Sequence, residues 1–303
     1  MVGGPWQHRQ VSANGARFHV AEAGSGPLIL LLHGFPEFWW SWRHQLRDLP
    51  SAGFRVVAPD LRGYGASDKP PRGYDAYTLS ADVAGLVRAL GEREAVVVGS
   101  DWGGMLAWAV AALHPQVVRR LVVLSMPHPL RLRAALARNR GGQLGAARHI
   151  AALQVPRLAE RRLVEDDAAL VGRLLHSWGG TGFPDAETER RCREAFLIPG
   201  VAHCAAEYYR WAVRSQTRAS GLRFARLLRA PITAPTLQLH GSADRCMLPT
   251  TAMGSGRHVA AAYDWRLLPG VGHFPHQEVP DATTNAICRW AGGEGIRRRV
   301  SEP

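Results

Sequence analysis

Asp101 lies in Val96-Val-Val-Gly-Ser-Asp-Trp-Gly-Gly104, a β-branched run that breaks into small residues and reopens as the helix-like segment Met105–Leu113. The pattern small-X-nucleophile-X-small suits a sharp strand-to-helix turn, because residues beside a strained position must lack a bulky Cβ. Such a turn usually presents serine, and here it presents a carboxylate. A carboxylate is a poor acyl acceptor but a competent nucleophile toward an sp³ carbon. The expected chemistry is attack on a carbon that bears a strained or departing group, such as an epoxide or an alkyl halide. Ester cleavage by Ser100 is disfavoured, since one residue off the tip it would point away.

Three further signals follow strand-like runs. His33-Gly-Phe-Pro36 follows Leu28–Leu32, and a turn there can aim the Phe35 N–H into a site. With the Trp102 N–H it would form an oxyanion hole. Gly241-Ser-Ala-Asp244 follows Thr236–His240, and Gly270-Val-Gly-His-Phe274 places His273 shortly after a run ending at Leu268. Each residue alone has an ordinary explanation: Asp101 as a helix N-cap, Asp244 as a turn residue, His273 as one of 13 histidines. Together, in the order nucleophile, acid, histidine, and each at a strand end, they make a catalytic set. Asp60-Leu-Arg-Gly-Tyr-Gly-Ala-Ser67 reads instead as structural turn chemistry after a Phe54–Ala58 strand.

The elements that must position these residues can be read from periodicity. Asn14-Gly15 between Arg9–Val11 and Arg17–Ala23 signals a hairpin. Leu28–Leu32, Phe54–Ala58, Ala95–Val98 and Leu121–Leu124 are continuous apolar runs, as strands buried on both faces require. Trp42–Leu49, Ala76–Leu90 and Met105–Leu113 are helical candidates between them. Strand alternating with helix implies a mostly parallel sheet with ligands at the carboxyl ends of its strands. After Pro127-His-Pro129 the spacing turns helical and arginine-rich, with a loop at Gly179-Gly-Thr-Gly-Phe-Pro184, until strands return at Thr236–His240 and Asp264–Leu268. The expected organisation is an α/β core over 1–129 and 231–303, with a helical cap inserted over 130–230.

His33-Gly-Phe-Pro-Glu-Phe, Asp60-Leu-Arg-Gly-Tyr-Gly-Ala-Ser, Gly99-Ser-Asp-Trp-Gly-Gly and Gly272-His-Phe resemble the epoxide hydrolase branch of the α/β-hydrolase superfamily. The resemblance covers nearly the whole chain and is weakest in the cap. It implies an α/β-hydrolase core, with Asp101 as nucleophile, His273 as base and Asp244 orienting the base. It also implies two cap tyrosines that donate to the epoxide oxygen. Glu207-Tyr-Tyr-Arg210 is similar to the second of these motifs and makes Tyr209 the donor. Tyr208 would diverge from it by about 100° on a helix. The first tyrosine position falls on His149, five residues before Gln154. A histidine there keeps an N–H donor but makes the donation titratable.

The reading is an epoxide hydrolase that needs no cofactor and no metal. The expected pocket residues are Trp102, Phe35, Pro36, Trp178 and Phe274. Trp39, Trp40 and Trp108 add to a hint of an aromatic-rich site for a bulky or aromatic epoxide. Haloalkane dehalogenase remains an alternative, because it shares the Asp-Trp pair, although Phe35 stands where many dehalogenases have asparagine. A fluoroacetate-type enzyme is less favoured, since Trp102 and Met105 occupy the places of its carboxylate-binding arginines. A non-catalytic small-ligand binding protein on the same scaffold is the alternative of another class.

The 303 residues, 46% of them hydrophobic, are enough for a large core. No run of 18 apolar residues suggests a membrane span, and the first residues lack a signal-peptide pattern, so a cytoplasmic location is the expectation. Cys192, Cys204, Cys246 and Cys288 form no C-x-x-C pair and read as reduced thiols. The net charge of +12 invites a nucleic-acid partner. However, Lys69 is the only lysine, and the arginines are spread without an aromatic stripe. A solvated surface encoded by a high-G+C genome is the favoured account. A small-molecule partner is expected, with neither nucleic acid nor membrane, and a homodimer is allowed. The tail Arg297–Pro303 reads as a frayed end.

Overall fold

The computed structural model describes residues 2–138 and 142–293, so the Arg297–Pro303 tail lies outside the described residues. Eight strands form one sheet: β1 (Gln7–Ala13), β2 (Ala16–Ala23), β3 (Leu28–Leu32), β4 (Arg55–Pro59), β5 (Ala95–Ser100), β6 (Val118–Leu124), β7 (Thr236–Gly241) and β8 (Tyr263–Leu268). Their order is β1-β2-β4-β3-β5-β6-β7-β8. The β1–β2 and β2–β4 pairs are antiparallel, and all others are parallel.

The apolar runs form central strands because both faces are covered. Leu28, Leu30 and Leu32 face one core layer, while Ile29 and Leu31 face the other. The same alternation divides Val97 from Val96 and Val98 in β5, as the two-residue pleat dictates. The Ala76–Ala89 and Trp102–Leu113 helices cover the first face. The Arg43–Asp48 and Pro280–Gly292 helices cover the second. Asp75 starts the Ala76–Ala89 helix by accepting from the Tyr77 and Thr78 N–H groups.

Two helices differ from their sequence readings. The segment expected as one helix over Trp42–Leu49 is a 3₁₀ turn at Trp39–Trp42, an α-helix at Arg43–Asp48 and a second 3₁₀ turn at Leu49–Ala52. Pro50 cannot donate an α-helical hydrogen bond, which favours the tighter final turn. The helix read as starting at Met105 starts at Trp102, because its two glycines serve close packing instead of breaking it.

Between β6 and β7 the chain is helical. Its longer helices are Pro129–Arg138, Leu158–Trp178, Ala186–Leu197, Val201–Arg214 and Ala219–Leu227. The short helices Gln143–Ala146 and Arg148–Ala152 lie between the first two. Gly179–Pro184 is a loop within this insertion. Among the described residues no helix is long and apolar enough to cross a membrane.

Candidate active site

The turn at Asp101 is strained and supported. Asp101 has φ 49° and ψ −117°, a left-handed geometry that costs a non-glycine residue on the order of 1–3 kcal/mol. The surrounding glycines permit it. A Cβ on Gly103 would overlap the Leu32 carbonyl of β3, and one on Gly99 would overlap the Gly103 carbonyl. The Asp101 N–H donates to the Leu124 carbonyl at 3.2 Å, and its own carbonyl accepts the Met105 N–H at 2.8 Å. The backbone is pinned on both sides, and the side chain is left at the carboxyl edge of the sheet.

Oδ1 of Asp101 accepts the Phe35 N–H at 2.9 Å. Trp102 opens the helix, so its N–H has no carbonyl one turn earlier to donate to. Of the two N–H groups anticipated from sequence, that of Phe35 meets the carboxylate and that of Trp102 begins the helix next to it. Ser100 is buried, its hydroxyl makes no hydrogen bond, and it is absent from the cavity wall.

Oδ2 of Asp101 lies 3.4 Å from Nε2 of His273. On the other side of that ring, Nδ1 donates to Oδ2 of Asp244 at 2.8 Å. Oδ1 of Asp244 accepts the Cys246 and Met247 N–H groups at 2.8 and 2.9 Å. Nε2 of His240 stands 3.3 Å from Asp244 Oδ2. Burial alone would raise Asp244, but the charges and hydrogen bonds of His273 and His240 hold it far below the usual carboxylate range. Burial opposes charge on His273 too, yet Asp244 and Asp101 prevail and push the imidazole up to about 10.

Several supporting groups were given no role from the sequence. Glu278 collects three backbone N–H groups, from Gly180 at 3.0 Å, Gly272 at 2.7 Å and Phe274 at 2.9 Å. It thereby clamps both neighbours of His273. The His273 N–H donates to the Trp178 carbonyl at 2.9 Å, tying the same loop to the insertion. Glu37 accepts from His276 at 3.0 Å and Gln277 at 2.7 Å, and joins the Phe35 turn to this loop. His33 donates from Nδ1 to the Gly34 carbonyl and accepts the Leu61 N–H at Nε2, which fixes its tautomer. A buried Glu or His beside a glycine turn was the available clue. Asp60 is structural, as read: it is buried and bound to His19 and to the Trp39 and Ala66 N–H groups.

The insertion brings Tyr209 over Trp102, ring centroids 5.1 Å apart and edge to face. Burial and the nearby Asp101 raise the Tyr209 phenol well above its ordinary value, so it keeps its proton. A hydrogen bond from the Trp102 side chain works weakly against this. Tyr208 diverges and donates to the Arg62 carbonyl at 2.8 Å. His149 packs against Trp178 at 4.7 Å and edge to face against Tyr209 at 5.6 Å. Neither of its ring nitrogens makes a hydrogen bond of good geometry. Burial, opposed by Asp101, pushes His149 down to about 4.

A cavity of about 470 Å³ opens on Asp101 and Tyr209. Trp102, Met105, Met126 and Met247 make its floor. One wall is the face Pro129, Leu132, Arg133, Leu136 and Ala137 of a single helix. The other is Tyr209, Ala212, Val213 and Gln216, with Ile150 beside them. Of the pocket residues expected from sequence, only Trp102 is on this wall. Phe35 and Trp178 stand behind it, ring to ring, and Phe35 also packs on Phe196 and Tyr209. Phe274 stacks on Phe183. Pro36, joined to Phe35 by a cis bond, turns the chain beneath. Trp39 meets Trp6 and His8, Trp40 lies under the Arg43 guanidinium, and Trp108 donates to the Met126 carbonyl. The lining is thus mainly aliphatic and thioether, because the large aromatic rings are consumed in the core.

Among the described residues one trio could hold a metal: Asp101, Cys246 and His273, with donor atoms within 4.8 Å of one another. A metal there would occupy both the carboxylate and the imidazole that the neighbouring groups orient.

Residues 27–280 match the family described as alpha/beta hydrolase fold. The chain is 35% identical to the AB hydrolase superfamily protein YfhM of Bacillus subtilis, over 82% of this chain and 85% of that one. It is 30% identical to Epoxide hydrolase A of Mycobacterium tuberculosis, over 98% and 100% of the two chains. The crystal structure of Epoxide Hydrolase A from Mycobacterium thermoresistibile superposes with a TM-score of 0.82 at 30% identity, covering 96% of this chain and 100% of that one. The motifs, the sheet order and these likenesses agree: the chain is a hydrolase and belongs to the epoxide hydrolase branch of the α/β-hydrolase superfamily.

Proposed function

We propose that this protein opens epoxides to vicinal diols through an ester on Asp101, beneath a cap formed by residues 130–230. The observation that carries the reading is the carboxylate of Asp101 and the proton-retaining phenol of Tyr209 facing one cavity. Asp101 Oδ2 attacks a ring carbon and the carbon–oxygen bond breaks. The departing oxygen takes the Tyr209 proton, while His149 donates a second hydrogen bond. His273 then removes a proton from water, and the hydroxide adds to the ester carbonyl of Asp101. The Phe35 and Trp102 N–H groups receive the oxyanion. Collapse transfers the adduct's hydroxyl proton to the leaving alkoxide and restores the carboxylate. The proton on His273 returns to Tyr209.

The electrostatics support the order of the steps. At rest two carboxylates hold His273 up at about 10. Alkylation of Asp101 removes one of those charges, so His273 becomes a better proton donor to solvent and is freed as a base when water must be activated. A dehalogenase needs side-chain N–H donors for halide, and Phe35, where many such enzymes have asparagine, supplies none.

The test is intact-mass analysis of His273→Gln mixed with styrene oxide, beside wild-type turnover of styrene-oxide and bromoalkane panels. An adduct of the full epoxide mass on Asp101 is expected, with diol formation exceeding halide release. An active Asp101→Ala enzyme overturns the assignment.

A further inference from the structure

Cys246 takes no part in the proposed reaction, yet it stands beside two groups that do. Its thiol is free and buried. Its Sγ, a carboxylate oxygen of Asp101 and a ring nitrogen of His273 all lie within 4.8 Å of one another. The three residues come from the turns that follow β5, β7 and β8 at the carboxyl edge of the sheet. The Cys246 backbone is fixed on both sides. Its N–H donates to Asp244 Oδ1 at 2.8 Å, and its carbonyl accepts from Gln143 Nε2 at 2.9 Å. Among the described residues no other group of three such side chains converges.

The two charged members are already oriented as ligands. His273 Nδ1 donates to the Asp244 carboxylate at 2.8 Å, the partner that a metal-bound imidazole has on its second nitrogen. Its Nε2 is buried and makes no hydrogen bond of good geometry. Asp101 Oδ1 takes the Phe35 N–H, which leaves Oδ2 open. Tetrahedral zinc binds nitrogen and oxygen at about 2.0–2.1 Å, so two such ligands stand about 3.3 Å apart. Asp101 Oδ2 and His273 Nε2 are 3.4 Å apart. A zinc–sulfur bond of about 2.3 Å sets the thiol about 3.6 Å from each, so Sγ has to close by no more than about 1 Å. The fourth corner opens toward the cavity of about 470 Å³, which gives an ion and its water a way in. A sulfur, an imidazole nitrogen and one carboxylate oxygen suit zinc or cadmium, whereas magnesium and calcium need oxygen ligands throughout.

We infer that Asp101, His273 and Cys246 form an inhibitory site for a thiophilic divalent cation. Binding releases the thiol proton of Cys246 and any proton on His273 Nε2 to solvent. The ion takes the Oδ2 lone pair that would attack a ring carbon and the nitrogen that would take a proton from water. Both halves of the reaction stop, and a chelator restores them. Inhibition rests on the epoxide hydrolase reading above, whereas binding of the ion does not.

Two measurements on the full chain test this. The first is a cadmium titration followed by the ultraviolet thiolate-to-cadmium charge-transfer band. The wild type should show a saturable band that Cys246→Ala loses and His273→Gln weakens. Cys246→Ser keeps the volume of the thiol and should lose the band as well. The second is styrene oxide turnover in the presence of zinc, each enzyme measured against its own metal-free rate. Micromolar zinc should inhibit the wild type, EDTA should reverse it, and magnesium and calcium should have no effect. The two Cys246 variants should need about 100-fold more zinc for half-inhibition, because groups that merely orient a ligand are already worth 10–100-fold. A band that persists in both Cys246 variants, or no band in the wild type, overturns the site. Half-inhibition that the Cys246 variants leave unchanged overturns its inhibitory role. If styrene oxide is not turned over even without metal, the hydrolase reading falls, and the cadmium titration still decides the site.

Discussion

Asp101 and Asp244 are both buried carboxylates with opposite surroundings. Asp244 is saturated by two backbone N–H groups and two imidazoles, so it stays ionised and fixed. Asp101 receives one N–H on Oδ1 and leaves Oδ2 toward His273 and the cavity. Tyr209 faces that open oxygen's cavity and keeps its proton, so Tyr209→Phe should slow alkylation by about 10²-fold in pre-steady-state measurements. His149 has a different signature from the one its sequence position suggests. With a value near 4 it is neutral over the ordinary pH range, so alkylation should show no gain from its protonation near pH 6.5. Folding excludes the His149 proton, which the unfolded chain binds near 6.5. Its neutral burial therefore supports stability above about pH 6.5, and that support is lost as pH falls toward 4. Thermal melts across pH should show a smaller loss over this window in His149→Tyr than in the wild type.

The central strands were legible because burial on both faces leaves an unbroken apolar run that no other element needs. β3 has the bounds its sequence suggests, and β5 and β6 each extend a few residues further. The turns that hold the site were less legible, since their partners are distant in the chain. Nothing near Glu278 announces that it will bind N–H groups of Gly180, Gly272 and Phe274. Hydrogen bonds to a charged acceptor contribute roughly 1.5–3 kcal/mol. Glu278→Ala should thus cost about 2 kcal/mol in urea denaturation. It should also slow ester hydrolysis more than alkylation, because it loosens His273 and leaves Asp101 in place. At the elbow, Gly103→Ala should cost about 3 kcal/mol or prevent folding, by driving a Cβ into the Leu32 carbonyl.

At the scale of the molecule, the sheet and the insertion should differ in local stability. β3, β5 and β6 are buried and paired on both edges. Gln143–Ala146 and Arg148–Ala152 are helices of four and five residues, too short to persist without packing. Hydrogen exchange should leave the three strands protected until global unfolding, while the amides of those short helices exchange early. The pocket was the least legible feature. Periodicity indicates that a helix has an apolar face, but not which face turns toward a cavity and which toward a neighbouring helix. The tryptophans suggested a site for flat rings. Apart from Trp102 they are packed instead at the core and behind the wall, and smaller side chains leave the space that a ligand can use.

The bonds from Trp178 and Gly180 to the histidine loop bear on how such proteins can be recombined. Modular exchange treats the insertion as a cassette that can be moved between relatives at its two junctions with the sheet. Here the cassette carries part of the scaffold of His273: the Trp178 carbonyl and the Gly180 N–H belong to it, whereas His273 and Glu278 belong to the host. A graft taking 130–230 from a relative should fold on this sheet and still form the ester. It should release product slowly unless 270–278 travels with it from the same parent.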